Sequence, residues 1–572
     1  MNRNYEYWLS YEGLDEDTRR ELESISGDEA EIEARFALPM RFGTAGLRSV
    51  MGAGISRMNV YTVGQTTQAL ANLINATEGS RSVAISYDSR NNSALFAKTA
   101  AEVLAGNGIH VYIYGSLHPT PCLSFAVLEL GCTAGINITA SHNPKEYNGY
   151  KVYWSDGAQL PPEHADTVSR EAEKTDIFRD VKKADFDRAR DGGLITVIGD
   201  DIDEKFMSAV LDCRIDREVT ASYGNSVGIV YTPLHGTGYR LVPEVLKRAG
   251  ITNLRVVESQ SRPDGNFPTV AVPNPENKDC FAEAIDLVLR DGKDCDLIIA
   301  TDPDADRVGA VVKDSNGLFT PLNGNQIGAL LVDYIIKARK SKGCLPQNAC
   351  AVKSVVSSEL FTEICRKNGV EPVNVLTGFK YIGEKIAEYE RTKEHSFIFG
   401  YEESCGFLSA GYVRDKDAVA GSLLIAEMAS YYKSRGMTVY AALNALYDEY
   451  GRYGEKVLSI KVGGVDPMAE MNARMDELRT NLFAVIASSA VTKVRDYLSG
   501  TVIDANTGDT SDTGLPKTDM LYFELEDGTN VIVRPSGTEP KIKVYILAKG
   551  SDESSLSAKL EEYSSFMKAF FD

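Results

Sequence analysis

The stretch from Gly135 to Tyr150 places one hydroxyl among groups that can turn it into a phosphoryl carrier. The β-prone residues 136–139 predict the end of a buried strand, after which Ser141 and His142 leave the sheet in a polar loop. A serine beside an imidazole, with Lys151 downstream, combines a nucleophile, a proton acceptor and positive charge for an anionic partner. The same pattern is also typical of a solvated turn, so the hypothesis needs partners elsewhere in the chain.

Three aspartates form a second candidate site. The apolar run 296–300 predicts a strand that leads into Asp302, Asp304 and Asp306. Carboxylates at this spacing repel one another, and a divalent cation stabilises such a cluster. An EF-hand is excluded, because Arg307 stands where that motif needs glycine. A short loop with few ligands favours Mg²⁺, with Arg307 beside a substrate phosphate, over the alternative of a solvated acidic turn.

Two glycine-containing loops offer phosphate contacts. Residues 41–48 read RFGTAGLR, and residues 534–541 read RPSGTEPK. Guanidinium groups, hydroxyls and glycine amides suit phosphate. A plain glycine turn is an equally good interpretation of the first loop, whereas the second carries more donors than a hairpin needs.

Two further loops offer sugar contacts. Residues 377–380 follow a predicted strand, and Glu402 and Ser404 follow another. Carboxylates and hydroxyls suit sugar hydroxyl groups, whereas phosphate would be repelled. Lys416 precedes a predicted long helix from Ala418 and is a candidate acid or anion contact.

The order of predicted elements indicates four domains. Strands alternate with helices as far as residue 452, which is typical of parallel α/β layers with ligands at the carboxyl ends of strands. Beyond it, alternating segments predict an antiparallel sheet, with helices near 467–487 and 552–570. We therefore predict domains over 1–215, 216–324, 325–452 and 453–572, and a hinge near 450–455 that closes the last domain over a cleft.

Bulk properties narrow the class of protein. A chain of 572 residues is too long for one core, and about 150 residues per domain gives about four. The net charge of −20 argues against nucleic-acid partners and against docking on anionic lipid. Nine cysteines without a CxxC pair favour reduced thiols, and neither an apolar leader nor a long apolar run is present. We expect a cytoplasmic protein with no membrane partner, whose N-terminus begins as an acidic amphipathic helix.

The motifs TASHNP, TDPDADR, GYEESCG and RPSGTEPK occur in the order and approximate spacing of the α-D-phosphohexomutase family, which the chain resembles over about residues 40–547. The resemblance is greatest to the bacterial phosphoglucomutase branch. It implies three similar mixed α/β sandwich domains plus a C-terminal α+β domain with an antiparallel sheet, around one central cleft. It also implies Mg²⁺, glucose 1,6-bisphosphate as activator or intermediate, sugar-phosphate substrates and a monomer or weak dimer.

The resemblance assigns roles to individual residues. Ser141 matches the phosphoserine, and Asp302, Asp304 and Asp306 match metal ligands that a phosphoserine oxygen joins. Catalytic cations and proton-transfer groups are implied at Arg48, His142, Lys151, Arg307 and Lys416. Substrate contacts are implied at Thr377, Gly378, Lys380, Glu402, Ser404, Arg534, Ser536, Gly537, Thr538 and Lys541. The proton carrier stays open among Arg48, His142, Lys151 and Lys416.

The chain departs from the family pattern at Ala45, where many relatives have serine, and at Glu403 between Glu402 and Ser404, which favours glucose over mannose. The leading hypothesis is interconversion of glucose 1-phosphate and glucose 6-phosphate. The alternatives are a phosphopentomutase or phosphomannomutase, a glucose 1,6-bisphosphate synthase and a sugar-phosphate sensor without catalysis. A phosphatase with an aspartate nucleophile fits less well, because its lysine and threonine motifs cannot be placed.

Overall fold

Three mixed sheets and one antiparallel sheet follow one another along the chain in a computed structural model that describes residues 2–43, 46–463, 466–536 and 541–571. This architecture confirms the predicted fold class. The four sheets lie within the four predicted domain ranges, whose exact boundaries stay a prediction.

The N-terminal segment forms three short helices rather than one. They are α1 (Arg3–Ser10), α2 (Glu16–Ser24) and α3 (Glu29–Phe36). The side chains of Asn2, Asp15 and Asp28 each cap the N-terminus of the helix that follows, which explains why a new helix begins after each of them. Trp8 packs edge-to-face against Phe36 and so joins the first helix to the third.

The first sheet has the strand order β1-β5-β4-β2-β3-β6. Its elements are β1 (Leu47–Val50), α4 (Val60–Ala76), β2 (Ser82–Tyr87), α5 (Ser93–Gly106), β3 (His110–Tyr114), α6 (Thr120–Glu129), β4 (Ala134–Ile138), β5 (Tyr147–Trp154), α7 (Pro162–Lys174), α8 (Phe186–Asp191) and β6 (Ile195–Ile198). Strands β2 and β4 are parallel neighbours, so the loops after them meet at one edge of the sheet.

The second sheet has the order β11-β10-β9-β7-β8. It follows two connecting helices, and the elements are α9 (Asp200–Asp212), α10 (Arg217–Tyr223), β7 (Ile229–Thr232), α11 (Gly238–Arg248), β8 (Leu254–Val256), α12 (Ala282–Asp291), β9 (Leu297–Thr301), β10 (Val308–Lys313) and β11 (Phe319–Leu322). The fully buried strand β9 delivers the aspartate loop, as the apolar run predicted.

The third sheet has the order β13-β12-β14-β15. Its elements are α13 (Gly324–Ser341), β12 (Ala349–Ser354), α14 (Glu359–Lys367), β13 (Glu371–Val375), α15 (Phe379–Thr392), β14 (Ser396–Glu402), β15 (Gly406–Leu408), α16 (Ala418–Lys433) and α17 (Val439–Tyr450). Helix α16 is buried along nearly its whole length and packs against α11 of the second domain. One apolar core therefore continues from the second domain into the third.

The fourth sheet is antiparallel, with the order β16-β23-β22-β21-β18-β19-β20. Its elements are β16 (Arg452–Lys461), α18 (Pro467–Thr480), β17 (Val485–Ile486), β18 (Ser489–Asp496), β19 (Thr501–Asp504), β20 (Thr510–Asp512), β21 (Leu521–Leu525), β22 (Asn530–Pro535), β23 (Lys541–Gly550) and α19 (Glu553–Phe571). The predicted helix over 467–487 is wrong at its end, because β-branched Val485 and Ile486 pair with β18.

Candidate active site

The loop after β4 presents Ser141 in a constrained conformation. Ser141 is buried and has a φ of 51°, a left-handed geometry that is uncommon for serine. Its backbone N–H donates to Thr139 Oγ1 at 2.8 Å. The buried guanidinium of Arg90 donates to the carbonyl oxygens of Ser141, Asn143, Pro144 and Tyr147. This loop is therefore held rigid by one side chain that the sequence analysis did not select.

The loop after β9 brings the three aspartates to Ser141. The Ser141 hydroxyl donates to Asp302 Oδ2 at 2.8 Å. One oxygen from each of Asp302, Asp304 and Asp306 lies within 4.8 Å of the others, and all three residues are buried. Burial and the neighbouring carboxylates Asp304 and Asp306 raise the pKa of Asp302 well above its usual range. A cation would offset this repulsion.

The remaining oxygens fit a divalent metal ion. Asp302 Oδ1 accepts the backbone N–H groups of Asp306 and Arg307 at 3.1 and 3.0 Å. Asp304 Oδ1 and Asp306 Oδ1 are buried and have no hydrogen-bond partner among the described residues. Buried oxygens of this kind are costly unless a ligand satisfies them, and an all-oxygen donor set suits Mg²⁺.

Two buried lysines stand on the other side of the aspartates. Lys151 Nζ, from β5, lies 2.8 Å from Asp304 Oδ2 and 3.5 Å from Asp306 Oδ2. Lys416 Nζ lies 3.1 Å from Asp306 Oδ2 and 3.3 Å from Asp415 Oδ1. Burial opposes the charge of Lys416, but the carboxylates of Asp306 and Asp415 raise its pKa above the usual range. Lys416 is therefore held as an ammonium ion.

Three more candidate residues surround the hydroxyl. His142 Nδ1 lies 3.2 Å from Ser141 Oγ. Burial, together with the positive charges of Arg307 and Arg48, holds the pKa of His142 well below its usual value, so its imidazole is neutral at pH 7. Arg48 donates to Asn143 Oδ1 at 2.9 Å, and Arg307 donates to Glu276. The structure thus gathers the predicted cations and the imidazole around Ser141.

The sugar-contact candidates lie on two adjoining loops of the third domain. Glu402, at the end of β14, accepts the backbone N–H of Gly378 at 2.7 Å. Burial and the neighbouring Glu403 raise the pKa of Glu402 to about 7. Glu403, the first residue of the turn after β14, accepts instead from Ser354 Oγ. Ser404 follows in the same turn and is partly exposed.

A cavity of about 450 Å³ lies between the 377–380 loop and the fourth domain. It is lined by Thr377 and Lys380 from one side and by Arg534 and Ser536 from the other. Lys541 begins β23, whereas the candidates Gly537 and Thr538, and also Ala45, lie outside the described residues. Two of the predicted sugar contacts and two of the predicted phosphate contacts therefore face one space.

Lys543 is a cation at this place that the sequence analysis missed. It stands directly opposite Arg534 in the β22–β23 pair. Like charges at opposed positions destabilise a sheet, so such a pair is typical of an anion site. Burial and Arg534 lower the pKa of Lys543. The alternation of β23, with Lys541 and Lys543 on one face, was the signal available in the sequence.

Comparisons with known proteins agree with this geometry. The models of "Phosphoglucomutase/phosphomannomutase, alpha/beta/alpha" domains I, II and III match residues 39–178, 204–317 and 323–450, and the C-terminal domain model matches 470–559. The chain therefore belongs to the phosphoglucomutase/phosphomannomutase family of phosphohexomutases, which are isomerases.

Individual relatives cover nearly the whole chain. A phosphoglucomutase of Staphylococcus aureus (strain USA300) is 37% identical over 535 residues, which are 93% of this chain and 94% of the relative. A family protein of Burkholderia thailandensis has a similar fold, with a TM-score of 0.66, 18% identity and coverage of 92% of this chain and 97% of that one. Parafusin of Paramecium, a phosphoglucomutase in its open form, also has a similar fold, with a TM-score of 0.66 and 16% identity. The match covers 93% of this chain and 95% of that one.

Proposed function

We propose that this enzyme interconverts glucose 1-phosphate and glucose 6-phosphate, with Ser141 as the phosphoryl carrier and glucose 1,6-bisphosphate as the intermediate. The observation that carries the proposal is the 2.8 Å contact between Ser141 Oγ and Asp302, beside two buried aspartate oxygens without partners. Glucose is favoured as the sugar because the 37% identical relative is named a phosphoglucomutase.

In the first half-reaction the phosphoryl group of phosphorylated Ser141 passes to the free hydroxyl of the substrate. The bond from phosphorus to Ser141 Oγ breaks and the bond to the sugar oxygen forms, while the proton of the sugar hydroxyl passes to a basic group of the site and the released Ser141 oxygen takes up a proton. Mg²⁺ bound by Asp302, Asp304 and Asp306 would offset negative charge on the phosphoryl oxygens. Lys151 and Lys416 place two ammonium groups within 3.5 Å of these carboxylates and add to the positive field.

Two groups suit opposite proton-transfer tasks. The neutral imidazole of His142, 3.2 Å from Ser141 Oγ, can accept a proton, and the charged Lys416 can donate one and later take it back. The bisphosphate intermediate reorients in the site and returns its other phosphoryl group to Ser141. A group that donates a proton in one half-reaction must therefore accept one in the other.

The fourth domain would bind the phosphate group that is not being transferred. A substrate that reacts at either of two positions needs a fixed place for whichever phosphate is idle. Arg534 and Lys543, which are opposed across β22 and β23, would bind that phosphate, with Ser536, Lys541, Gly537 and Thr538 as further candidates. Thr377, Gly378, Lys380, Glu402 and Ser404 would contact the sugar hydroxyls between that place and the reacting centre.

Water must be kept from the phosphoserine, so closure of the cleft by the fourth domain is part of the proposal. We further propose that the enzyme works as a monomer or weak dimer in the cytoplasm on sugar phosphates alone. Among the described residues, no helix combines the length and apolar character needed to cross a membrane.

The proposal is tested by a steady-state assay with glucose 1-phosphate, Mg²⁺ and a trace of glucose 1,6-bisphosphate. We expect turnover to glucose 6-phosphate that is faster than with mannose or ribose phosphates. A preference for mannose or ribose phosphate would overturn the choice of sugar. A need for stoichiometric external phosphoryl donor at each turnover would instead indicate a bisphosphate synthase.

A further inference from the structure

Thr120 makes two hydrogen bonds to the aspartate loop, although the sequence analysis gave it no role. It is the first residue of α6 and is fully buried. Its backbone N–H donates to the carbonyl oxygen of Asp304 at 2.8 Å, and its hydroxyl donates to Asp304 Oδ2, also at 2.8 Å. One residue of the first domain thus holds both the main chain and the side chain of a candidate metal ligand in the second.

The direction of the hydroxyl is fixed by the residues behind it. Asn137 Nδ2 donates to Thr120 Oγ1 at 2.6 Å, and Ser86 Oγ donates to Asn137 Oδ1 at 2.9 Å. An amide nitrogen only donates, so the Thr120 oxygen accepts there and its own proton must go to Asp304. All three donors are fully buried, where hydrogen bonds in a chain strengthen one another.

This arrangement makes the two oxygens of Asp304 unequal. Oδ2 accepts hydrogen bonds from the Thr120 hydroxyl and, at 2.8 Å, from Lys151 Nζ. Oδ1 is buried and has no partner among the described residues. A turn of the carboxylate that moved an oxygen away from these two donors would break both hydrogen bonds, so one oxygen is held by the protein and the other stays free for a ligand.

We propose that Thr120 is a positioning residue that commits Asp304 to bind the metal ion through Oδ1. This inference rests on the metal site of the proposed function and adds a residue that never touches the metal. Hydrogen-bond partners behind a metal ligand typically change metal affinity about 10- to 100-fold when removed. The competing interpretation is that Thr120 only stabilises the start of α6, in which case metal binding does not depend on its hydroxyl.

The test compares Thr120→Val, which keeps the shape but removes the donor, with Thr120→Ser, which restores the hydroxyl. Thr99→Val is the matched control, because Thr99 is also buried but donates to a carbonyl within its own helix. Binding of Mn²⁺ alone is measured by the electron paramagnetic resonance signal of free Mn²⁺, on samples with equal phosphorylation by intact mass. We expect about 10- to 100-fold weaker binding in Thr120→Val, and near-native binding in the other two.

A second readout separates positioning from loss of structure. The Mg²⁺ concentration for half-maximal turnover should rise in Thr120→Val, while kcat at saturating Mg²⁺ largely recovers. If Val cannot be accommodated, Thr120→Ala must give the same ranking. Wild-type protein that binds Mn²⁺ and a Thr120→Val variant that binds it equally well would overturn this inference alone. Wild-type protein that binds no Mn²⁺ would overturn the proposed metal site and this inference with it.

Discussion

At the scale of single residues, burial decides which charge each group at the site carries. Lys416 is held charged by Asp306 and Asp415, and His142 is held neutral by burial and by two arginines. Glu402 is intermediate, because burial and Glu403 raise its pKa to about 7. A carboxyl group with such a pKa can donate or accept a hydrogen bond near neutral pH, which suits a sugar hydroxyl.

The raised pKa of Glu402 predicts that the stability of the folded protein depends on pH. Its pKa rises from about 4.3 in the unfolded chain to about 7 in the folded one. The stability contributed by the protonated form is fully present below the unfolded pKa and is lost as pH rises through the folded pKa. We expect ligand-free Glu402→Gln to unfold at a higher temperature than wild type at pH 8, and we expect this difference to be clearly smaller at pH 5, where most of the stability is still present.

Thermal unfolding at the two pH values measures this difference. Glu562→Gln, at an exposed position of α19, is the control and should show no such pH effect. Equal shifts of Glu402→Gln at pH 5 and pH 8 would contradict the raised pKa.

At the scale of elements, one arginine holds the loop that presents the nucleophile. Arg90 bonds four carbonyl oxygens of that loop and lies 3.3 Å from Asp88, with both side chains fully buried. Its guanidinium also lies 5.0 Å from the ring centre of Phe267, in the second domain. This one side chain therefore connects β2, the Ser141 loop and the neighbouring domain.

Removal of Arg90 should destabilise the first domain. Arg90→Met leaves Asp88 buried without its charge partner, which typically costs about 3–5 kcal/mol. Hydrogen exchange of the amides of β2 and β4 measures the free energy of opening of this domain. Arg190→Met, which breaks only exposed ion pairs, should leave this protection nearly unchanged. Equal protection in the two variants would contradict the role of Arg90.

Replacement of Lys543, which stands opposite Arg534, should weaken binding of the sugar phosphate. A hydrogen bond to a charged group contributes about 1.5–3 kcal/mol, so Lys543→Met should raise KM for the sugar phosphate about 10- to 100-fold. Lys549→Met is the control, because Lys549 is exposed on the same strand. Steady-state kinetics of both variants at saturating Mg²⁺ decide the matter, and an unchanged KM for Lys543→Met would remove it from the phosphate site.

The sequence predicted those strands and helices that a short run of neighbouring residues is enough to identify. Apolar runs marked β9 and β4, so the loops of Asp302 and Ser141 could be placed at strand ends. It could not show that Thr120 and Arg90 act on those loops, because both contacts join segments that are distant along the chain.

The fourth domain was harder to read. Strands β18, β19 and β20 were not predicted, since their mixed polar residues lack a continuous apolar face. The pairing of Arg534 with Lys543 depends on the register of β22 and β23, which a single strand does not specify.

At the scale of the whole molecule, the domains differ in how firmly they are joined. The first three share one core, whereas the fourth has its own core and meets the third through a smaller apolar cluster that includes Val356, Leu376 and Ile532. The chain enters the fourth domain through Gly451, whose φ of 101° favours glycine. This connection lies within the hinge predicted at 450–455.

Closure of the fourth domain should accompany ligand binding. We expect small-angle X-ray scattering to give a smaller radius of gyration when glucose 1,6-bisphosphate and Mg²⁺ are added, because the ligand joins Arg534 and Lys543 to the other three domains. The double variant Arg534→Ala with Lys543→Ala should lose this response. A radius that stays the same in wild type at saturating ligand would count against the hinge.

The central claim is that Ser141 carries the phosphoryl group that is exchanged with the sugar. The most direct measurement is incubation with ³²P-labelled glucose 1,6-bisphosphate and Mg²⁺, followed by peptide mapping and by a chase with unlabelled glucose 1-phosphate. The account predicts label on Ser141 alone, its release into sugar phosphate during the chase, and neither label nor mutase activity in Ser141→Ala. Label on another residue, or a Ser141→Ala protein with undiminished activity, would contradict it.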